Sequence, residues 1–481
     1  MNLAVVARFS GFLVAIVATL MLAPAVLALF DRDGRALVAY TVSTALAFTL
    51  AVLLRRIGRD ATEEIHRKDA FGVVALTWLA VGLLGGLPFV LEGSITDPAS
   101  AIFEAVSGFT TTGATVVGDI DGLSRATNLW RCLMHWVGGM GIVVLFVAVF
   151  PQLGVGAKHL FRSEVAGPIT SGLRPKIRQT ATALWWIYGG LTLAAAVLLV
   201  FAGMPMYDAI CHAMSALGTG GFSTRTASIG AYDSMLIEGI VIVFMLLGGL
   251  NFGLFYDLLR GNGRNLVRDY ELRFFLATNT VVTLLVAATT LDRHHGVVQT
   301  LRHAAFQTVA VTSTTGFMTE DYDTYPNLAK LALVFCMFMG GCAGSTAGGL
   351  KASRVYILIK TVVMELGALV RPKVVSSLQV GRGTVPPTII RSILTFFAAY
   401  MLLVAVSSFV LVAMDLDLTS AISASLACLS SVGPGLEQVG PAKNFALVPP
   451  AGKVMLSLCM IAGRLEIFAL FAVLSPECWR R

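Results

Sequence analysis

Four short stretches rich in threonine, serine and glycine recur along the chain, spaced by about 100 residues. They are Ser107–Ala114 (SGFTTTGA), Ser215–Phe222 (SALGTGGF), Ala310–Phe317 (AVTSTTGF) and Ala427–Pro434 (ACLSSVGP), and their aligned glycines are Gly113, Gly221, Gly316 and Gly433. Rings of backbone carbonyls can replace the hydration shell of an alkali cation, and glycine permits the positive φ that lets consecutive carbonyls face one way. A repeated motif indicates a repeated structural unit, so we expect these Thr/Ser-Gly stretches to meet around one axis.

A short helix is predicted immediately before the first Thr/Ser-Gly stretch. Asp97 is a favourable N-cap, and Pro98 suits the first helical position. A helix of about a dozen residues is about 18 Å long, which crosses only half of a hydrocarbon core of roughly 30 Å. We therefore expect a re-entrant half-helix that points its C-terminal end at Thr110–Gly113, and the partial negative charge of that end favours a cation.

Composition places the chain in a membrane. Of its 481 residues, 56% are hydrophobic and 13% are charged, and the mean hydropathy is +0.79. A soluble protein of this length could not bury so much apolar surface, and several apolar runs reach the length of a spanning helix. The net charge of +7 indicates basic cytoplasmic loops rather than nucleic-acid binding. The seven cysteines form no CxxC pair and predict neither a disulfide framework nor a metal site.

The chain divides into an N-terminal pair of helices, residues 1–68, and four repeats, residues 69–178, 179–270, 271–385 and 386–481. Each repeat has an outward helix, a half-helix, a Thr/Ser-Gly stretch and an inward helix. The predicted spans are Leu3–Phe30, Ala36–Leu54, Phe71–Leu91, Leu129–Phe150, Thr182–Ala202, Met235–Leu259, Phe274–Leu291, a helix from about Asn327, Ile389–Met414 and Val454–Leu474. Basic loops such as Lys158–Arg178 are expected in the cytoplasm, together with the N-terminus.

The inward helix of the third repeat is interrupted by Gly340–Gly349, which contains five glycines. Each glycine costs a helix about 1 kcal/mol relative to alanine, and irregular backbone at membrane depth is tolerated where it packs in protein or lines a water-filled cavity. This glycine loop follows a Thr/Ser-Gly stretch on the inner side, where it would lie across a permeation path. The other interpretation is a close crossing of two helices through small residues.

A charged residue, Arg464, falls near the middle of the last predicted span. A charge at membrane depth is costly unless it is paired or bound to backbone carbonyls. Its expected partners are carbonyls of the glycine loop, or Glu466. Arg464 is therefore interpreted as a pin between helices, as a latch on the loop, or as both.

These motifs together resemble the TrkH/KtrB superfamily of potassium transporters. The resemblance rests on the fourfold half-helix and TTG-like plan, on GGCAGSTAGGLKASR at residues 340–354 and on AGRLEIF at residues 462–468. The extra N-terminal helix pair resembles the TrkH branch more than the shorter KtrB branch. The resemblance implies an all-α polytopic membrane protein with four M1–P–M2 units, as in a potassium channel, around a pseudo-fourfold pore.

The resemblance also implies roles for particular residues. A potassium filter would contain Thr111, Thr112, Gly113, Thr219, Gly220, Gly221, Thr314, Thr315, Gly316, Ser431, Val432 and Gly433. A gate would contain Gly340, Gly341, Gly344, Ser345, Thr346, Gly348, Gly349, Lys351 and Arg464. Family members pair as homodimers in the bacterial inner membrane, where lipid surrounds them, and bind a cytosolic nucleotide-sensing ring, TrkA. Potassium is the transported ion, and no prosthetic group is implied.

Several functions are compatible with these patterns. The leading hypothesis is passive or weakly coupled potassium uptake. A symporter coupled to protons or sodium would need a titratable or second ion site near the midplane, for which Arg464, Glu466 and Glu104 are the candidates. A membrane-embedded enzyme is disfavoured because the sequence has no HExxH motif. An accessory subunit without a pore would leave the four stretches unexplained.

Overall fold

The computed structural model describes residues 1–61, 67–149, 176–293, 296–370, 377–381 and 383–479. Most of the basic loop predicted over Lys158–Arg178 lies outside these residues. The α-helices in chain order are α1 Leu3–Leu20, α2 Leu22–Phe30, α3 Gly34–Ile57, α4 Arg67–Glu92, α5 Pro98–Phe109, α6 Arg125–Val149, α7 Lys176–Phe201, α8 Met206–Leu217, α9 Met235–Gly249, α10 Phe252–Leu259, α11 Arg264–Arg268, α12 Tyr270–Thr290, α13 Val297–Thr312, α14 Asn327–Met339, α15 Ala352–Val370, α16 Pro387–Val412, α17 Leu418–Ser430, α18 Pro450–Arg464, α19 Phe468–Leu474 and α20 Pro476–Trp479.

Shorter elements complete the described part of the chain. The 3₁₀ turns are Ser228–Tyr232, Leu291–Arg293, Tyr322–Thr324, Glu437–Val439 and Phe445–Leu447. Two strands, Gln379–Val380 and Gly383–Thr384, pair antiparallel as the only departure from the predicted all-α fold among the described residues. Six described helical segments are long and apolar enough to cross a membrane. The all-α prediction is therefore confirmed.

One order of elements recurs four times in the described chain. A long helix leads to a short helix of 12 to 16 residues, then to a Thr/Ser-Gly stretch and a second helix. The short helices are α5, α8, α13 and α17, and two of them begin at an aspartate N-cap, Asp97 or Asp417, that accepts from the amide three residues on. The hydrogen bond from the Ser100 hydroxyl, helped by that from the Ser100 amide, lowers the pKa of Asp97, so this cap persists into acid.

Packing between the four units is cyclic. The helix that follows each Thr/Ser-Gly stretch packs against the short helix of the next unit: α6 on α8, α9 on α13, α14 on α17, and α18 on α5. The last of these contacts joins the end of the chain to its first unit and closes the ring. Three large clusters of buried apolar side chains fill the space between these helices. The longer helices therefore surround the short ones.

The inward helices differ from the sequence prediction in two places. Met235–Leu259, predicted as one helix, is two helices that meet at 94° around Leu250 and Asn251. The predicted helix Val454–Leu474 starts earlier and ends at Arg464, because Glu466 and Ile467 take positive φ before α19 begins. Both breaks follow a glycine, Gly249 or Gly463, that lies against the backbone or side chains of neighbouring elements. The interruption of the third inward helix is therefore not unique.

The N-terminal pair packs on the outside of the first unit. Helix α1 lies against α3 and α4, and α2 lies against α6. The hydroxyl of Tyr40 lies 3.1 Å from that of Thr127, and Arg125 forms an ion pair with Asp31 at 2.8 Å. Over its described residues, this pair contributes nothing to the ring of short helices.

Candidate functional site

Each Thr/Ser-Gly stretch begins with the same helix ending. The amides of Thr112, Gly220, Thr315 and Val432 donate to the carbonyl five residues earlier at 2.8–2.9 Å, and the residue before each donates to the carbonyl three residues earlier at 3.0–3.3 Å. This pattern of two hydrogen bonds is the Schellman motif, which places the residue after the C-cap in the left-handed region. The fourth stretch, although most degenerate in sequence, has the same backbone as the other three.

Left-handed backbone alternates at equivalent positions in the four stretches. The residues two before the glycines, Thr111, Thr219, Thr314 and Ser431, have φ of 50° to 56°. The glycines Gly113, Gly221, Gly316 and Gly433 have φ of 74° to 97°. A non-glycine residue in this region costs on the order of 1–3 kcal/mol and persists only where the surroundings enforce it. The same strained alternation in four places indicates a shared backbone requirement.

The four glycines lie in a closed ring. A Cβ added to Gly113 would overlap the carbonyl oxygen of Gly220, one on Gly221 that of Thr315, and one on Gly316 that of Val432. The circle closes at Gly433, where a Cβ would lie 2.7 Å from the carbonyl oxygen of Thr112. Each glycine thus faces the carbonyl of the residue before the next glycine. The twelve residues predicted for the filter are consequently neighbours around one centre.

A cavity opens on the outer side of this ring. Its lining includes Gly113, Gly221, Gly316 and Pro434, one residue from each stretch. Loops from different units meet at its rim, where the amide of Thr226 donates to Asp121 at 3.0 Å. That hydrogen bond lowers the pKa of Asp121, so the contact holds at neutral pH and is lost only in acid. The cavity therefore reaches the ring from the side of the residues that follow the glycines.

The glycine loop, Gly340–Gly349, contacts the inner side of the ring. The amide of Gly348 donates to the Thr314 hydroxyl at 2.7 Å, and the Thr346 hydroxyl lies 3.3 Å from that of Thr219. Thr346 also lies 2.9 Å from the carbonyl oxygens of Leu217 and Gly248. A Cβ on Gly348 would overlap the carbonyl oxygen of Ser430. The loop is therefore joined to the inner ends of the second, third and fourth stretches.

Inside the loop the glycines allow the chain to fold back on itself. Gly340, Gly344 and Gly349 have φ of 69° to 78°, and Gly340 packs on the backbone of Gly348 and Gly349. Gly341 packs on Ala347, and the Ser345 hydroxyl donates to the Cys342 carbonyl at 2.5 Å. Lys351, also left-handed, donates through Nζ to the carbonyl of Ala347. The segment is unwound and is not a close crossing of two intact helices.

Arg464 bridges the loop and the first unit. Its Nη1 donates to the carbonyl of Thr346 at 2.6 Å, and its Nη2 donates to that of Gly138 at 2.8 Å. The side chain is buried, so these carbonyls replace water at its two Nη atoms. The predicted partnership with the loop is thus present in the structure, whereas Glu466 instead binds Arg354 at 2.6 Å. Glu466 points away because the helix ends at Arg464.

Sequence reasoning missed Glu271, a buried carboxylate at the start of α12. Its Oε1 accepts from the amide of Ala343 at 2.7 Å and from that of Ser353 at 2.9 Å. One oxygen thereby joins the interior of the glycine loop to the first turn of α15. The signal in the sequence was an acidic residue just inside the beginning of an apolar span, but its partners lie 72 and 82 residues away.

Two further polar residues were not assigned a role from sequence, His212 and Gln307 on the short helices α8 and α13. Both are fully buried and lie nine positions before a ring glycine, as Glu104 does. Aligning the four stretches with their preceding helices, rather than the stretches alone, would have shown this spacing.

Comparison with known proteins gives a consistent result. A family model described as a cation transport protein, TrkH, matches residues 39–479. The Trk system potassium uptake protein TrkH of Salmonella typhimurium is 39% identical over 490 residues, covering 100% of both chains. TrkG of Escherichia coli strain K12 is 33% identical and covers 99% of this chain and 98% of its own. The crystal structure of the potassium transporter TrkH from Vibrio parahaemolyticus matches with a TM-score of 0.90 and 36% identity, covering 100% of each chain.

The predicted resemblance is confirmed along the whole chain. The fold, the apolar spans and the relatives agree on an integral membrane protein that moves ions rather than transforming a substrate chemically. The chain belongs to the TrkH family of cation transport proteins.

Proposed function

We propose that the chain mediates potassium uptake across the bacterial inner membrane, through a filter formed by the four Thr/Ser-Gly stretches. The observation that carries the proposal is the closed ring of glycines, each against a carbonyl of the next stretch. Four short helices end at this ring, and their C-terminal partial charges favour a cation there. The membrane potential supplies about 2.3 kcal/mol per charge per 100 mV, which suffices for passive uptake. The relatives named above are potassium uptake proteins.

In each stretch, the proposed filter residues are the ring glycine and the two residues before it. They are Thr111, Thr112, Gly113, Thr219, Gly220, Gly221, Thr314, Thr315, Gly316, Ser431, Val432 and Gly433. Their carbonyls would replace the hydration shell of the ion. The common backbone of the fourth stretch supports its inclusion despite its different sequence.

The glycine loop is proposed as the gate, together with Lys351 and Arg464. The hydrogen bond from Gly348 to Thr314 and the contact of Gly348 with Ser430 support this proposal, because a loop next to the ring would block an ion that leaves the filter. Arg464 and Glu271 hold the loop from two sides. The gate would open when a cytosolic partner weakens these bonds.

Symport coupled to protons or sodium is the alternative. It requires a carboxylate that is free to titrate or to bind a second ion near the pathway. Glu104 forms a buried ion pair with Arg131 at 2.9 Å, and Glu466 forms one with Arg354. Both sequence candidates are thus engaged by arginine, which favours passive uptake.

Flux in liposomes that contain only this chain tests the proposal. Rubidium uptake should exceed sodium uptake, and it should follow the imposed membrane potential. Equal uptake of the two ions, or none above that of empty liposomes, would contradict a selective potassium pathway.

The assembly is also proposed from the family. We expect a homodimer that binds a cytosolic TrkA-like nucleotide-binding ring. We also propose that the chain consists of an N-terminal helix pair, residues 1–68, and four repeats, residues 69–178, 179–270, 271–385 and 386–481. The relatives' designation as parts of a Trk system supports a partner. Mass measurement of the detergent-solubilised protein, with and without such a ring, tests the homodimer and the binding of the ring.

A further inference from the structure

A buried polar side chain stands behind the filter at the same position in three repeats. Glu104, His212 and Gln307 each lie nine residues before a filter glycine and are fully buried. The corresponding residue of the fourth repeat is Ala424, and the neighbouring Ser423 is buried instead. All four lie on the short helices that lead into the filter.

Each of these side chains binds the segment that leaves the filter, two to four residues beyond the glycine. In the first repeat, Glu104 accepts from the Thr115 hydroxyl and from the Val116 amide, both at 2.9 Å. In the fourth, the Ser423 hydroxyl accepts from the Leu436 amide at 3.0 Å. The short helix before the filter is therefore fastened to the chain after it.

The second and third repeats achieve the same link with other chemistry. His212 Nδ1 lies 2.7 Å from the Asp208 carbonyl, which can only accept, so this nitrogen carries the proton. His212 Nε2 then accepts from the Ser223 hydroxyl at 2.8 Å. In the third repeat, Gln307 Nε2 donates to the Glu320 carbonyl at 3.0 Å and to the Thr319 hydroxyl at 3.3 Å.

The first link is the strongest because it includes a charge pair. Arg131 donates through Nε to Glu104 at 2.9 Å and through Nη1 to the Ser223 carbonyl of the second repeat at 3.3 Å. Its guanidinium lies 4.1 Å from the centre of the Phe222 ring, next to Gly221. This pair therefore connects the outer ends of two adjacent filter segments.

We propose that Glu104, His212, Gln307 and Ser423 are positioning residues, which hold the filter carbonyls at the spacing that selects the ion. The inference rests on the proposed potassium function and goes beyond it by assigning selectivity to side chains that do not touch the ion. Filter carbonyls are dipoles that can move. Their number and spacing decide for which cation they replace the hydration shell at the lowest free-energy cost. A buried link from behind fixes that spacing.

The experiment measures the ratio of rubidium to sodium uptake by the full chain in liposomes. E104A, H212A and Q307A should each lower this ratio, with the largest fall for E104A, by about tenfold, the equivalent of ~1.4 kcal/mol. H212Q and Q307H exchange the chemistry of two repeats and should retain more selectivity than the alanine variants. S223A removes the His212 link from its other end and should match H212A, and the double variant should be no worse than either.

Glu238→Gln is the matched control. Glu238 is also a buried carboxylate paired with an arginine, Arg302 at 2.6 Å, but that arginine's other acceptor is Asp233 rather than a filter segment. It should leave the ratio unchanged. If the wild type selects rubidium and the folded alanine variants select it equally well, the positioning role is refuted while the potassium function stands. If the wild type itself does not select, the potassium function fails first.

Discussion

At the scale of single residues, the filter glycines are constrained twice. Each combines positive φ with a face against a neighbouring carbonyl. Threonine and serine adopt positive φ at the positions two residues earlier, so the positive φ does not by itself explain why glycine is needed. The missing Cβ does, because a side chain there would displace the carbonyl that is proposed to bind the ion.

We therefore expect Gly113→Ser to relax the preference for rubidium over sodium. The added Cβ would overlap the carbonyl oxygen of Gly220, and that carbonyl must move. Gly93→Ser is the matched control, because Gly93 has a similar φ of 87° but no atom within 4 Å of an added Cβ. Liposome uptake of the two ions by both variants is the measurement. If G113S keeps wild-type selectivity, the Gly113 assignment is wrong.

At the scale of elements, broken helices surround the glycine loop. The bend after Gly249 brings the carbonyls of Gly248 and Gly249 to the loop, where they accept from the amides of Thr346 and Cys342 at 3.2 and 2.8 Å. Asn251 then caps α10 by accepting from the Gly253 amide at 2.8 Å. The unwound backbone of one helix is thereby satisfied by the unwound backbone of another, as membrane depth requires.

Removing the latch should open the gate. Arg464→Ala leaves the Thr346 and Gly138 carbonyls without their donor, and deleting Gly344–Gly348 removes the loop that would block the path. Both variants should give rubidium flux above wild type in liposomes without any cytosolic partner. Arg464→Lys should lie between, because an ammonium lacks the planar fork that reaches both carbonyls. Unchanged flux in both variants would show that the loop is not the gate.

Glu271 should act on the same gate through its own contact with the loop at Ala343. Both amides donate to its Oε1, so glutamine retains an acceptor at this place whereas alanine removes it. We expect E271A to raise partner-independent flux and to lower thermal stability, since two buried amides lose their acceptor at about 1–3 kcal/mol each. E271Q should lie closer to wild type. Equal flux for E271A and wild type would limit Glu271 to a structural role.

At the scale of the whole molecule, four dissimilar units contribute to one closed ring, which is proposed to be a single pathway. Its two sequence candidates for a coupling carboxylate are held in ion pairs. We expect the zero-current potential of reconstituted protein to follow the rubidium gradient and to ignore imposed gradients of pH. A sodium gradient should matter only as far as sodium leaks through the filter. A shift with pH at a constant rubidium gradient would instead support symport.

Much of the fold was already readable in the sequence, because local rules dominate inside a bilayer. Apolar runs predicted the spans, and Asp97 and Pro98 predicted the start of α5. The breaks at Leu250 and after Arg464 were missed. A helix such as Met235–Gly249 ends because backbone from another repeat replaces its hydrogen bonds, and that replacement is invisible in the local residues.

The sequence by itself determined that the chain crosses a membrane, which stretches recur in four copies and are proposed to bind a cation, and which segment cannot remain helical. These follow from hydrophobicity, from glycine's conformational freedom and from the cost of glycine in a helix, all of which act locally. Only the tertiary structure decided that Gly433 lies against Thr112, that Arg464 reaches Gly138, and that Glu104, His212 and Gln307 bind the segments that follow the ring glycines. Those pairings depend on how residues as much as 326 positions apart are brought together, which packing decides and local propensity does not.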